Sequence, residues 1–383
     1  MKKEQNQRRL MDYFSTIEDP RVERTRKHEL SDILSIAICA IICGADGWTQ
    51  VEEFAQCKEE WFKSFLSLPN GIPSHDTFGR VFSSLKPDSF EQCFLEWVNA
   101  LAQKSEGRLI AIDGKTMRRS VDYASEKAAV HMVNAWCDTN KMVIGQIATE
   151  TKSNEITAIP KLLELIDLDG AVVTTDAMGC QKEIANAVIE NDGDYILQLK
   201  ANQTGLHKNA VTLFDECIDD NVYNIQYTVA SETDGGHGRV EERTLRAVSN
   251  VGFLNSEKKN WVGLKSLICV EAKRSIGDET SVEKRYYISS LTCKNPQDLL
   301  KYIRGHWGVE NSLHWCLDIS FADDERRIRK GYGAENFARL SRIALNLLKQ
   351  QTKHKVGIKT RRLCCGWNEQ YLYRVLTQQN KGL

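Results

Sequence analysis

Tyr302-Ile303-Arg304-Gly305-His306-Trp307-Gly308-Val309-Glu310-Asn311-Ser312-Leu313-His314-Trp315-Cys316-Leu317-Asp318 is the stretch on which the reading of this chain turns. Taken as a helix, it carries an apolar stripe of Ile303, Trp307, Leu313 and Leu317, spaced by three, four and multiples of these. Glu310 falls inside the stripe, so the helix is expected to turn it toward a buried face. An ionised carboxylate in such a place costs several kcal/mol unless it is paired, hydrogen-bonded or bound to a metal. Glu310 therefore needs a partner from elsewhere in the chain.

Upstream, two apolar runs end in a carboxylate. Leu109-Ile110-Ala111-Ile112-Asp113-Gly114 and Ala171-Val172-Val173-Thr174-Thr175-Asp176-Ala177 both read as buried strands with a polar tip. Asp194 to Lys200 is a third strand, with Asn202 and Gln203 just beyond it. His131–Asp138 and Val143–Thr149 are two more, and helices are expected over 155–167 and 181–191. Strands alternating with helices predict an α/β core, whose site lies where the strands hand over to polar loops. Three acidic groups with no cysteine nearby favour a hard cation, Mg²⁺ or Mn²⁺. Two such ions about 3.5–4 Å apart serve phosphoryl transfer. The residues leave a blander reading open, in which Asp113 and Asp176 cap loops and Glu310 pairs with Arg304.

The 383 residues suffice for two or three domains. Residues 1–28 read as a polar, basic arm or a short helix. Residues 30–105 read as helical throughout, with helices near 31–44, 48–57, 58–67, 74–85 and 88–104. The helix after the turn Pro69–Pro73 sets Thr77, Arg80, Ser83 and Ser84 against Phe78, Val81, Phe82 and Leu85. That fits a helix-turn-helix reader of DNA or a plain bundle. Residues 201–295 alternate and carry Gly-rich turns, which predicts a β-rich insertion. The divisions expected are a helical N-terminal domain over 1–105, the α/β core over 106–200 and 296–350, and a basic tail over 351–383.

Net charge is −1, so no global field draws the chain to nucleic acid, and local patches decide. Twelve cysteines include no Cys-x-x-Cys pair, which argues for reduced thiols in a cytosolic protein and against zinc. No signal peptide is visible at the start. The longest apolar run, Ile33 to Cys43, is too short for the roughly twenty residues that span a bilayer. Ser74-His75-Asp76 are sequence neighbours that cannot converge on one reacting atom, so they read as a helix start with Ser74 as its cap. Gly114-Lys115-Thr116 lacks the earlier glycine of a phosphate loop, since residue 109 is Leu.

Several blocks together resemble the H-repeat-associated transposases, bacterial insertion-sequence enzymes of the DDE class. They are Ala111–Lys115, Lys152–Pro160, Thr175–Gln181, Leu199–Gln203, His237–Arg239, Tyr286–Ser290, His306–Trp315 and Arg326–Gly331, with an early block from His28 through Thr77. The resemblance spans roughly residues 10–350. It implies a ribonuclease-H-like catalytic core with Asp113, Asp176 and Glu310 as catalytic, metal-binding residues. The β-rich segment then accounts for the long spacing from Asp176 to Glu310. It further implies two Mg²⁺ ions (Mn²⁺ substituting), double-stranded DNA as partner, a homodimer on paired ends, and a place in the bacterial cytoplasm at the nucleoid. The reaction implied is hydrolysis at the element's ends followed by attack of the freed 3′-hydroxyl on target DNA. A nuclease that cuts without joining, or a DNA-binding relative that has lost its chemistry, are the alternatives.

Residues expected at DNA are Lys115, Arg118 and Arg119 past the first Asp, Lys200, Asn202 and Gln203 at the neighbouring strand end, and His237 and Arg239. Broader relatives place a Tyr, an Arg and a Lys around the catalytic Glu, where this chain has Ile303, His306 and Leu317. Arg304, His306 and the cluster Arg326, Arg327, Arg329 and Lys330 are expected to replace them. His314, one turn past Glu310, is expected to orient it, to touch DNA or to sit in the core.

Overall fold

The computed structural model describes residues 10–102, 106–122, 126–149, 154–218, 225–236, 238–254 and 256–378. Six helices come first: α1 (Leu10–Phe14), α2 (Leu30–Ile42), α3 (Trp48–Cys57), α4 (Glu59–Lys63), α5 (His75–Ser84) and α6 (Pro87–Leu101). The strands β1 (Arg108–Thr116), β2 (His131–Cys137) and β3 (Met142–Thr149) follow as an antiparallel meander. Then α7 (Glu155–Leu165), β4 (Ala171–Thr175), α8 (Lys182–Glu190) and β5 (Asp194–Leu199) alternate, with β4 parallel to β1 and β5 parallel to β4. After α9 (Thr204–Val211) come β6 (Thr228–Gly236), β7 (Arg239–Val248), α10 (Ser256–Asn260), β8 (Ser266–Ile276) and β9 (Glu279–Ser289). The chain closes with α11 (Pro296–His306), α12 (Trp315–Phe321), α13 (Gly333–Lys349), α14 (Ile358–Trp367) and α15 (Glu369–Thr377).

The nine strands among the described residues form one sheet, in the order β3-β2-β1-β4-β5-β9-β8-β7-β6. The segment expected as an insertion is thus the far half of the same sheet, joined by the antiparallel rungs Ile196–Ser289 to Leu199–Tyr286. Strands β4 and β5 are flanked on both sides by other strands and covered on both faces, which explains their unbroken apolar runs.

The N-terminal helices share their core with the sheet. Every residue of α2 from Asp32 to Ile42 is buried, as expected for a helix apolar on all sides. It packs against α13, whose polar residues are spent as internal struts. Asn336 Nδ2 donates to the carbonyls of Phe82 and Leu85, both at 2.8 Å. Arg339 Nε donates to Glu91 Oε2 at 2.9 Å, and Arg342 Nε to Asn134 Oδ1 at 3.0 Å. Asn346 both donates to and accepts from the Val143 backbone, each at 2.8 Å. A buried polar group is tolerated only when bonded in this way.

Helix α5 lies against α3 and α13, so its apolar side serves a bundle, while Arg80 remains exposed. Ser74 stands at its N-cap, but its hydroxyl reaches only the Thr77 hydroxyl, at 3.2 Å. The expected basic tail is two packed helices. Arg362 on α14 donates to the Ile41 carbonyl at 2.8 Å and stacks 4.2 Å from the Phe321 ring, and Leu372 and Val375 on α15 are buried. The cysteines among the described residues are free. No helix among these residues is long and apolar enough to cross a membrane.

Candidate active site

Strands β1 and β4 part company at the site. Their last parallel rung is Ile112–Thr175, so the next residues on the two neighbouring strands are Asp113 and Asp176. Strand β1 continues to Thr116, paired only with β2. Asp113 therefore lies within its strand rather than at the tip, and opposite Asn134. Asp176 begins a tight turn in which its Oδ1 accepts from the N–H groups of Met178 and Gly179, at 2.9 and 3.1 Å.

Helix α11 crosses the sheet over this split. Gly305 allows the approach, since a side chain there would run into Leu109. His306 Nδ1 meets Thr174 Oγ1 at 3.0 Å, two residues before Asp176. Burial pushes the His306 imidazole down to about 4, so it is neutral at pH 7.

Past Trp307 the backbone widens into a π-helical turn over Glu310–His314, closed by a bond from the Trp315 N–H to the Glu310 carbonyl. This corrects the expected helical stripe. The wider turn rephases the residues after Trp307, so Leu313 and Leu317 are buried while Trp307 is 47% exposed. Glu310 is not buried either: its side chain is 63% exposed and reaches over Asp113. Its partner is His314, whose Nδ1 lies 3.1 Å from Glu310 Oε2 and 3.5 Å from Asp113 Oδ2. The His314 ring is buried, and burial pulls its pKa below the ordinary imidazole value against the opposing pull of Glu310. One ligand atom from each of Asp113, Glu310 and His314 fits within a mutual 4.8 Å.

Asp113 is the strained member. Burial, helped by Asp176, Glu155 and Glu310, raises its carboxyl to about 7 against the pull of the Gly114 N–H. Glu155 forms a buried pair with His131 at 2.5 Å on the other side of the strand. The pair packs so closely on Gly114 that a Cβ there would collide with both. Sequence reasoning placed Glu155 in a family block but missed this role.

Of the residues expected at DNA, some are committed elsewhere. Lys115 is buried, with Nζ 2.6 Å from Asp318 and 3.5 Å from Asp324, because alternation along β1 turns it, like Asp113, under α12. Arg326 is buried against Asp323 at 2.7 Å and over the Phe337 ring. Asn202 donates to the Ala177 carbonyl at 2.8 Å and Gln203 to the Cys180 carbonyl at 2.9 Å, so both brace the Asp176 turn. Arg304 pairs with Glu232 at 2.8 Å and Asp234 at 3.1 Å on β6, not with Glu310. Arg118, 81% exposed, lies 3.3 Å from Asp324, and Arg119 lies 2.6 Å from Glu325. Arg329 donates to the Arg119 carbonyl at 3.2 Å. Lys200, Arg239, Arg327 and Lys330 are exposed. His237 lies outside the described residues.

A sheet that presents two aspartates on adjacent strands, with a glutamate brought by a helical turn over the first of them, defines a class of acidic α/β site suited to divalent cations. Comparison with known proteins names the family. Residues 104–347 match the model of the transposase DDE domain, and residues 11–98 match the DDE_Tnp_1-associated model. YncI of Escherichia coli O157:H7 is 42% identical over 96% of this chain and 94% of its own length. The H-repeat-associated YhhI of E. coli K12 is 39% identical over 96% of this chain and 98% of its own. Both are named provisionally as transposases. A cryo-EM structure of the piggyBac transposase synaptic complex with hairpin DNA aligns with a TM-score of 0.42 at 11% identity, over 97% of this chain and 81% of that one. The chain belongs to the DDE transposase family, close to its H-repeat-associated members.

Proposed function

We propose that this chain cuts the ends of a bacterial insertion sequence and joins the freed 3′-hydroxyl to target DNA, with Asp113, Asp176 and Glu310 as the catalytic carboxylates of a ribonuclease-H-like core. The observation that carries this reading is the placement of Asp113 and Asp176 just past the last shared rung of β1 and β4, with Glu310 set over Asp113. The donor chemistry suits Mg²⁺ or Mn²⁺: oxygens of Asp113 and Glu310 come together, with Asp176 on the neighbouring strand, and burial with nearby carboxylates raises the Asp113 carboxyl to about 7. Held by these carboxylates, such ions would supply Lewis-acid activation of the attacking oxygen and would neutralise charge on the leaving one.

In the first step a water oxygen attacks the phosphorus at the element's end. The P–O3′ bond breaks, and the 3′-oxygen leaves as a hydroxyl after taking a proton. In the second step that hydroxyl attacks a target phosphodiester and displaces the target's own 3′-oxygen. No protein nucleophile is needed. Asn202 and Gln203 hold the Asp176 turn, and Lys115 ties the α12 segment to β1, so both act on the geometry of the carboxylates. Arg118, Arg119, Lys200, Arg239, Arg327, Arg329 and Lys330 are the residues left to meet phosphate. Paired ends call for a dimer at the nucleoid.

The test is a cleavage and strand-transfer assay with the element's own flanking ends, in Mg²⁺ and in Mn²⁺. Asp113→Asn, Asp176→Asn and Glu310→Gln are each expected to lower both products by about 10³-fold or more while end binding in EDTA persists. Cleavage without joining by the wild type would make the chain a nuclease. Binding with neither product would make it a relative that has lost its chemistry.

A further inference from the structure

We propose that His314 is a direct nitrogen ligand of one catalytic cation, completing a site with Asp113 and Glu310. This rests on the function proposed above and adds to its carboxylates a fourth residue in contact with metal. Two ligands at right angles, each about 2.1 Å from a metal, are about 3 Å apart. The 3.1 Å from Nδ1 to Glu310 matches such an edge of an octahedron, and the 3.5 Å from Nδ1 to Asp113 is about half an ångström longer. The three donors come from two rigid sources, a central strand and a helical turn that brings residues 310 and 314 to one side.

The chemistry of the ring agrees. His314 Nδ1 points into the carboxylate pair, while Nε2 is buried and finds no hydrogen-bond partner among the described residues. Among the described residues no neighbour at Nε2 fixes the tautomer, and a proton held there goes without an acceptor. Without a cation, Nδ1–H donates to Glu310; with one, the proton sits on Nε2 and the Nδ1 lone pair faces the metal. Asp176, by contrast, has one oxygen committed to two backbone N–H groups and stands outside the trio. The two cation positions are therefore unlike: an all-oxygen place on the Asp176 side and a nitrogen–oxygen place at His314. An imidazole ligand shifts preference from Mg²⁺ toward a first-row transition ion such as Mn²⁺ at that second place.

The test uses the full chain and Mn²⁺ alone. Titration followed by electron paramagnetic resonance counts bound Mn²⁺, and pulsed measurements on the wild type detect nitrogen bonded to it. A ¹⁴N coupling is expected in the wild type. It should vanish in His314→Leu, with one class of Mn²⁺ binding weakened about tenfold or more and Mg²⁺ binding changed less. Because the coupling is read on the wild type, a poorly folded variant does not spoil the result. Bound Mn²⁺ without nitrogen coupling, or a coupling that survives His314→Leu, overturns the assignment and leaves the carboxylate site standing. A wild type that binds no Mn²⁺ overturns this assignment and the metal-dependent function together.

Discussion

At the scale of single residues, the site stores a like-charge conflict. Asp113 has its pKa raised to about 7 by burial and by neighbouring carboxylates, from an unfolded value of 3.8. A carboxyl whose pKa rises on folding favours the folded state only while it keeps its proton. Stability is therefore expected to fall as pH climbs from about 4 to 7 in EDTA, and to level off above that. Asp113→Asn removes the conflict. It should raise stability at pH 8 by on the order of 2 kcal/mol, after allowing for water at the open side of the group, and flatten the pH dependence. Thermal unfolding at pH 5 and pH 8, both in EDTA, measures this. An Asp113→Asn variant less stable than the wild type at pH 8 would contradict it. The runs that carry Asp113 and Asp176 were legible as strands from their unbroken apolar stretches, but Asp113, read as a strand tip, stands within β1, which continues to Thr116. The destination of Lys115 was not, because its partners Asp318 and Asp324 lie some two hundred residues away and no local pattern announces them.

Among the elements, α13 links the helical half to the sheet. Arg339 is buried and held by Glu91 at 2.9 Å and Glu335 at 2.8 Å. Arg339→Ala leaves Glu91 as an uncompensated buried charge and is expected to cost about 3–5 kcal/mol. Replacing both partners, Glu91→Leu with Arg339→Met, should recover most of that loss. Urea unfolding of these variants decides; a double variant as unstable as the single one would mean that packing, not the pair, sets the cost. Periodicity made most strands and helices readable, β1 through β5 among them. It failed at Glu310 because a π-helical turn changes the phase of side chains without any change in composition. It failed at α14 and α15 because the basic run Lys353–Arg362 masked the apolar positions Cys365, Leu372 and Val375 that bury them.

For the whole molecule, the helical half and the α/β half share one interior. The cluster that includes Ile33, Phe82 and Phe94 also includes Ile112, Val173 and Leu345. A fragment of residues 106–350 would therefore expose the face of α13 that α2 covers. It is expected to bind a hydrophobic dye and to unfold without a sharp transition; a cooperative melt from that fragment would show that the α/β half stands alone. The same unity reaches across the sheet. Because β9 is bonded to β5, the hairpins β6–β7 and β8–β9 extend from the site like a ruler fixed at one end, with their tips at Gly235–Gly236 and Gly277. Adding two residues to each strand of a hairpin would move its tip outward by about 7 Å while every side chain kept its face. A change of hairpin length would thus alter reach in fixed steps, far from the carboxylates, without moving the split between β1 and β4.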